Sequence, residues 1–535
     1  MKKNQSNLKP LLIKNGKLID GTGNPWFKAD IIITEGMITK ISTNLSIELD
    51  DTIIIDASGL TISPGFIDIH SHADMSLIND QKLGCLAQQG ITTIVVGNCG
   101  LSQAPLNPEK DDYFKKTSEF KGEVPWHTFK EYLEVLEKLG SSLNIVPLVG
   151  FGVIRRSVLE DANRSPSKHE LEQMKSYIEE AMQAGAYGIS TGLIYPPQTN
   201  AKTQEIIECA KIAGKYEGLY FSHMRNEGDY VIEAIKELIE IVEKSGCRSG
   251  QISHIKVVGP LNWGKSVEML QLIKDANNRG LIIRADQYPY KRGMNSLKDS
   301  LPDWAKLGGN EAIIKKLHDP KSREKIKKDM EKGFNKSKMS WDKIFVASQR
   351  TDKWRDIEGL SISEITKMKQ ASSEFDIFCE ILIDNNANVE QITEYGHEDD
   401  LKTLMKSRYT MIGTDGWSVP MGSGKPHPRF YGTYPRILGK YVREEQILIL
   451  EEAIRKMTSF PAQTLGLLDR GLIREGMCAD LVIFNPDTII DKATYTDPHQ
   501  FPDGIHYVII NGEIVVKDKQ HTTVKSGKIL RRNSP

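Results

Sequence analysis

Between residues 66 and 414 the chain repeats one pattern: a short, apolar, β-branched run followed by a stretch with helical apolar spacing. Candidate strands fall at 66–70, 92–97, 144–150, 186–191, 219–223, 250–256, 281–286 and 409–414. The intervening helical patterns carry their own punctuation. Ser167-x-x-Glu170 is a capping-box start for a helix over 168–184, and the periodic stretch 229–245 is stopped by Gly246. Strands that alternate with crossover helices pair in parallel. Eight such units predict an α/β fold, a (β/α)8 TIM-type barrel.

One interval breaks the rhythm. Residues 290–408 separate the seventh and eighth strands. The first half of this interval is helical and charged, and Ile344–Ser348 reads as a short strand. We expect an inserted lid or small domain over 291–395, at the barrel mouth. The two ends of the chain share another style. Leu11–Ile19, Asp30–Ile33 and Thr52–Asp56 are β-branched runs, as are Ala479–Phe484 and Tyr507–Val516. Asn15-Gly16 and Asn511-Gly512 both read as hairpin turns. These ends predict one β-sandwich built from 1–63 plus 467–535, leaving 64–290 plus 396–466 as the barrel.

Composition narrows the partners. A formal net charge of −1 gives no field to recruit nucleic acid or an anionic membrane. Six cysteines form no CxxC pair and no disulfide framework. Met1–Lys14 lacks the apolar core of a signal peptide, and no run of about 18 apolar residues suggests a span. The expectation is a cytoplasmic protein acting on small molecules.

Active sites of such barrels sit where the strands end. Strand one ends in His70-Ser71-His72, whose imidazoles lie i, i+2 on one face. Strand two ends at Gly97-Asn98-Cys99-Gly100, strand five at His223, strand six at His254, and strand eight at Thr414-Asp415-Gly416. Singly, each has a structural explanation: a buried small thiol, satisfied core histidines, an aspartate in a turn. Jointly they predict a metal site. A thiolate with two imidazoles (Cys99, His223, His254) suits a tightly bound zinc ion with one position open. His70, His72 and Asp415 form either a second, weaker site or groups around the catalytic water. Bound zinc would bring the pKa of water toward about 7 and polarise a carbonyl oxygen. Asp415 would take the water proton and return it to a leaving group. That machinery suits amide hydrolysis.

The motifs PGFIDIHSHAD (64–74), GNCG (97–100), GISTGLIYPP (188–197), FSHMRNEG (221–228), SHIK (253–256) and ADQYPY (285–290) run along the barrel. MIGTDG (411–416), PHPRFYGTYPR (426–436), KMTSFPA (456–462) and GLIREGMCADLVIF (471–484) complete the set. Together they resemble the amidohydrolase superfamily, and within it the N-acyl-D-amino-acid deacylases. The resemblance spans nearly the whole chain. It implies a barrel, a β-sandwich from both termini and an insertion near the mouth. It also implies a tight zinc at the Cys99, His223 and His254 positions, His70 and His72 beside it, and Asp415 as acid/base. Many superfamily relatives carry a carbamylated lysine on strand four. Here that strand reads Gly188-Ile189-Ser190-Thr191-Gly192, and the resemblance to the deacylases implies that Cys99 replaces that lysine.

An N-acyl amino acid brings a free α-carboxylate, which needs fixed cations or donors. Arg429 suits bidentate binding, and Lys256 and Tyr288 lie just past strand ends. The resemblance implies all three around that carboxylate. Arg225 either orients substrate or pairs with Glu227. Two places depart from the family: Phe151, where histidine is common, and Lys291-Arg292 after YPY, where relatives carry small residues. The expected reaction is zinc-dependent hydrolysis of N-acyl-D-amino acids. The alternative is a cyclic amidase or dipeptidase of the same superfamily, of the hydantoinase, dihydroorotase or isoaspartyl dipeptidase type.

Overall fold

A computed structural model describes residues 8–47, 51–107, 124–160 and 162–532. Residues 1–7, on which part of the leader reading rests, lie outside these.

The barrel strands are Phe66–Asp68, Ile91–Val96, Asn144–Gly150, Gly188–Gly192, Leu219–His223, Ser249–Ile252, Ile283–Gln287 and Thr410–Ile412. All of their pairings are parallel. The third strand breaks at Leu148. Its first half, Asn144–Pro147, pairs with strand two, and its second, Val149–Gly150, pairs with strand four. Closure comes just beyond the ends of strands one and eight. Ser71 bridges Gly416, and the His72 and Asp415 amides donate to the Gly416 and His70 carbonyls, both at 2.8 Å. The segments that close the barrel therefore carry three of the expected site residues.

The crossover helices form where the apolar spacing places them. Lys168–Ala184 begins at Ser167, whose hydroxyl accepts from the Glu170 amide while Glu170 accepts from the Ser167 amide. Val231–Ser245 turns Ile235, Leu238, Ile239 and Val242 onto the barrel and stops at Gly246, with φ +71°. Burying each such side chain contributes about 1.5–3 kcal/mol.

The termini build one nine-stranded sheet. Its seam is antiparallel, with Thr61–Pro64 of the N-terminal part against Leu481–Phe484 of the C-terminal part. Strand Leu11–Leu18 branches, pairing along one edge with both Ile53–Asp56 and Thr61–Pro64. The far edge strand, Met37–Ser42, returns to Cys478, and the Ile38 amide donates to the Met477 carbonyl. The sheet thus wraps around one core that includes Ile13, Ile31, Ile62, Leu481 and Ile509. This is the expected sandwich, hydrogen-bonded into a single sheet.

The two Asn-Gly signals part company. Asn511-Gly512 does turn the hairpin between Ile505–Ile510 and Glu513–Lys517, with both residues at positive φ. Asn15-Gly16 does not turn the chain. The strand runs through it with a bulge between Ile13 and Gly16, because both flanking halves pair with Phe27–Thr34.

Residues 292–394 carry a three-stranded antiparallel sheet of their own, with Glu390–Glu394 between Arg292–Ser296 and Ile344–Ser348. Helices Gly309–His318, Pro320–Ser337 and Glu374–Asp384 cover a separate core around Leu317, Trp354 and Phe378. No described helix is long and apolar enough to cross a membrane.

Candidate metal centre and substrate cavity

The site is assembled from strand ends, and three of its residues sit in left-handed backbone. Cys99, His254 and Asp415 have φ of +54°, +35° and +51°. Such conformations cost non-glycine residues roughly 1–3 kcal/mol and persist only where the surroundings impose them. At Cys99 the approach is set by Gly97, at φ +80°, where a Cβ would stand 2.1 Å from the Leu148 carbonyl. The His254 amide donates to Asp286 Oδ1 at 2.7 Å. Asp68 accepts from the Thr414 amide at 2.8 Å and from its hydroxyl, fixing the turn that carries Asp415.

Cys99 Sγ lies at the centre of an imidazole cluster. It is 3.5 Å from His70 Nε2, 3.5 Å from His254 Nε2 and 3.8 Å from His223 Nδ1. Sulfur and nitrogen ligands on one tetrahedral zinc ion stand roughly 3.6 Å apart, given Zn–S near 2.3 Å and Zn–N near 2.0–2.1 Å. The donors fit that ion without rearrangement. Three overlapping sets have all ligand atoms within 4.8 Å of one another: Cys99/His223/His254, His70/His72/Cys99, and His70/His254/Asp415. The thiolate is shared by two of these sets. Burial pushes the Cys99 thiol up, but the surrounding histidines outweigh it and hold the group well below an ordinary thiol. An ionised sulfur is the form that binds zinc.

The imidazoles are aimed from behind. His70 Nδ1 is 3.2 Å from Asp286 Oδ1, which turns Nε2 toward Cys99. Glu227 sits between the other two, with Oε1 3.1 Å from His254 Nδ1 and Oε2 3.6 Å from His223 Nε2. Lys256 Nζ lies 2.6 Å from both Glu227 Oε1 and His254 Nδ1, so ammonium and carboxylate meet at that imidazole nitrogen. Burial raises the Glu227 carboxyl, yet Lys256 and the two histidines hold it below its usual range. A carboxylate on the outer nitrogen fixes tautomer and ring orientation in metal-ligating histidines.

Asp415 stands opposite. Its Oδ1 is 3.3 Å from His72 Nε2 and 3.5 Å from His70 Nε2, and its Oδ2 is 3.0 Å from Arg429 Nη1. Burial raises this carboxyl, but Arg429, His254, His72 and His70 together hold it well below the carboxylate range. It is ionised and able to accept a proton.

A cavity of about 560 Å³ opens from this cluster. Arg429, Tyr288 and Lys256 form one wall. The Arg429 guanidinium packs 4.7 Å from the Tyr288 ring centroid, with Lys256 Nζ 5.9 Å from the same ring. Arg429 is 1% exposed, and its Nε has no hydrogen-bond partner. The Tyr288 hydroxyl meets that of Tyr395 at 2.5 Å. The insertion contributes further lining residues, such as Asn295, Ser296, Lys298 and Gln391.

The structure therefore brings together His70, His72, Cys99, His223, His254, Asp415, Lys256, Tyr288 and Arg429. It does not bring Arg225. That guanidinium pairs with both oxygens of Glu237 at 2.9 Å and with the Thr199 and Ala201 carbonyls, and it does not line the cavity. Helix Val231–Ser245 presents Glu237 to it, which the spacing to Glu227 did not reveal. The departures also lie off the cavity. Phe151 is buried in the barrel core, and Lys291 is exposed. Arg292 pairs with Glu394 at 2.6 Å and stacks between Phe345 and Tyr495. Sequence reasoning named Glu227 only as a partner for Arg225 and did not single out Asp286. Both stand in the motifs FSHMRNEG and ADQYPY, and Asp286 lies at a strand end like the ligands themselves.

Comparison with known proteins identifies the family. The pattern of the amidohydrolase family matches residues 54–266 and 357–516. A D-aminoacylase of Alcaligenes xylosoxydans xylosoxydans is 33% identical over 99% of both chains. An N-acyl-D-glutamate deacylase of the same organism is 31% identical over 98% of this chain and 97% of its own. A crystal structure of N-acyl-D-glutamate deacylase from Bordetella bronchiseptica, complexed with zinc and a phosphonate inhibitor, superposes with a TM-score of 0.83. That protein is 30% identical, with 98% of this chain and 99% of the other covered. A D-hydantoinase, 18% identical with a TM-score of 0.56, shares the fold. Identity over nearly the whole length and a matching family pattern agree: the chain belongs to the amidohydrolase family, among the D-aminoacylases and N-acyl-D-amino-acid deacylases.

Proposed function

We propose that this protein is a zinc-dependent hydrolase that cleaves N-acyl-D-amino acids to a carboxylate and a free D-amino acid. The observation that carries the reading is the Cys99 thiolate, shared between two imidazole sets and facing a cationic cavity wall. Cys99, His223 and His254 would hold the tight zinc ion, and His70 and His72 with Cys99 a second, weaker one. When bound, zinc supplies a Lewis acid that polarises a carbonyl and acidifies water. Asp415 accepts the proton of the attacking water at its carboxylate, while His72 and Arg429 keep it oriented and ionised. It then returns that proton to the amide nitrogen as the C–N bond breaks, so the amine leaves neutral. Arg429, Lys256 and the Tyr288 hydroxyl receive the α-carboxylate. The free Nε of Arg429 supports that role. Arg225 stabilises the loop after strand four.

The insertion 291–395 acts as a lid on the barrel 64–290 plus 396–466, with 1–63 plus 467–535 as the β-sandwich domain. Its residues Asn295, Ser296, Lys298 and Gln391 line the cavity beside the metal cluster. The enzyme works in the reduced cytoplasm on small molecules, consistent with free cysteines throughout the described chain. The preference for D-isomers rests on the named relatives. A cyclic amidase is the weaker reading, since strand four carries no lysine.

The test is a panel of N-acetyl-D- and N-acetyl-L-amino acids with zinc-loaded protein, following amine release. D-selective turnover is expected. Turnover of hydantoin or dihydroorotate without any D-selective release overturns the reading.

A further inference from the structure

Strand four contributes no group to the metal cluster, yet it grips the turn that carries the thiolate. Two buried side chains do this. Ser190, on the strand itself and fully buried, donates its hydroxyl proton to the Gly97 carbonyl and accepts from the Gly100 amide at 3.0 Å. Gln198, 1% exposed, lies in the loop that follows. Its Nε2 donates to the Cys99 carbonyl at 3.2 Å, and its Oε1 accepts from the Gly192 amide at 2.7 Å. Ser190 thus holds the turn on both sides of Cys99, and Gln198 ties Cys99 itself to the end of strand four. The fit leaves no slack: a Cβ on Gly100 would stand 2.1 Å from Gln198 Oε1.

The other two left-handed residues are held differently. His254 is pinned by Asp286, and the Asp415 amide donates to the His70 carbonyl at 2.8 Å. Asp286 sits on strand seven, and His70 lies just past the end of strand one. The Cys99 turn is held by two side chains at once, Ser190 and Gln198, from a strand and its following loop that carry no ligand of their own. Neither Ser190 nor Gln198 lines the cavity. Their bonds go to the Cys99 turn and to strand four rather than to the cavity.

We propose that Ser190 and Gln198 are positioning residues for the zinc centre. They hold the strained Cys99 backbone so that Sγ stands at ligand spacing from His223 and His254. Strand four serves the centre through this turn rather than through a side chain on the metal. The proposal rests on the reading of Cys99 as a zinc ligand.

The test uses the full-length protein loaded with cobalt(II) in place of zinc, because a cobalt–thiolate bond gives a charge-transfer absorption band. Metal dissociation constants are measured by competition with a chelator, and thermal midpoints are recorded alongside. Ser190→Ala and Gln198→Met are expected to weaken cobalt binding about 10- to 100-fold, the range for groups that orient metal ligands. Both should weaken or shift the thiolate band. Gln198→Glu keeps the acceptor for the Gly192 amide and nearly the same shape, but loses the donor to the Cys99 carbonyl. It should weaken binding as Gln198→Met does, and it decides the matter if Gln198→Met leaves too little folded protein. Lower thermal midpoints with an unchanged band and affinity overturn the proposal and leave the zinc reading intact. A wild-type protein with no thiolate band refutes both.

Discussion

Replacing Asp415 with asparagine separates the chemistry from the metal. The change keeps the side-chain volume and removes one negative charge and the capacity to accept a proton. In the structure that carboxylate faces three groups at once: His72 and His70 at 3.3 and 3.5 Å, and Arg429 at 3.0 Å. None of them is displaced by an isosteric amide, and the set Cys99/His223/His254 does not include Asp415. Zinc should therefore stay bound. A positioned general acid/base contributes about 10²- to 10⁴-fold. At 1.36 kcal/mol per decade, that is about 3–5 kcal/mol of barrier. KM should not rise, because Arg429 loses its competing carboxylate and remains free for the substrate's. The assay pairs steady-state amine release with zinc per protein by mass spectrometry. A kcat within about ten-fold of wild type at full zinc occupancy would refute the role of Asp415 as the base. Loss of the zinc would refute its separation from the tight site.

Arg429→Gln should raise KM and move the acid limb of the kcat/KM profile to higher pH. The Asp415 carboxyl is raised by burial and brought down chiefly by Arg429, so removing that cation lets the base protonate earlier as pH falls. Arg225→Met should lower stability by about 1.5–3 kcal/mol, through lost charged hydrogen bonds to Glu237, while KM stays unchanged. A raised KM with unaltered stability would return Arg225 to the substrate. Phe151→Ala should cost about 3–5 kcal/mol by denaturant titration, as a fully buried aromatic, without altering zinc content.

The barrel and most of its site were legible because both rest on local rules. Buried parallel strands read as β-branched runs, and the residues just past them face the site whatever the helices do. His70, Cys99, His223, His254 and Asp415 were found that way. Asp286 obeys the same rule and was passed over only because a carboxylate after an alanine attracts no notice without its partners. Glu227 is less accessible to reading: its role exists only where Lys256, His254 and His223 converge on it from two strands. Arg225 failed for the converse reason, since its partner Glu237 lies ten residues beyond Glu227, inside helix Val231–Ser245, while Glu227 is engaged by Lys256. Asn15-Gly16 shows tertiary pairing overriding turn propensity, because a bulge lets one long strand serve three neighbours. The clamp on Cys99 belongs to the same class. A serine and a glutamine carry no metal signature until the fold sets them against one strained turn.

The central claim is that Cys99 anchors the zinc ion together with imidazoles from strands five and six. X-ray absorption at the zinc edge tests it directly. The wild-type protein should show one sulfur near 2.3 Å with nitrogen donors near 2.0–2.1 Å, and Cys99→Ala should lose the sulfur shell together with most of its bound zinc. Zinc held by nitrogen and oxygen donors alone in the wild-type protein, or retained in full by Cys99→Ala, would contradict the account.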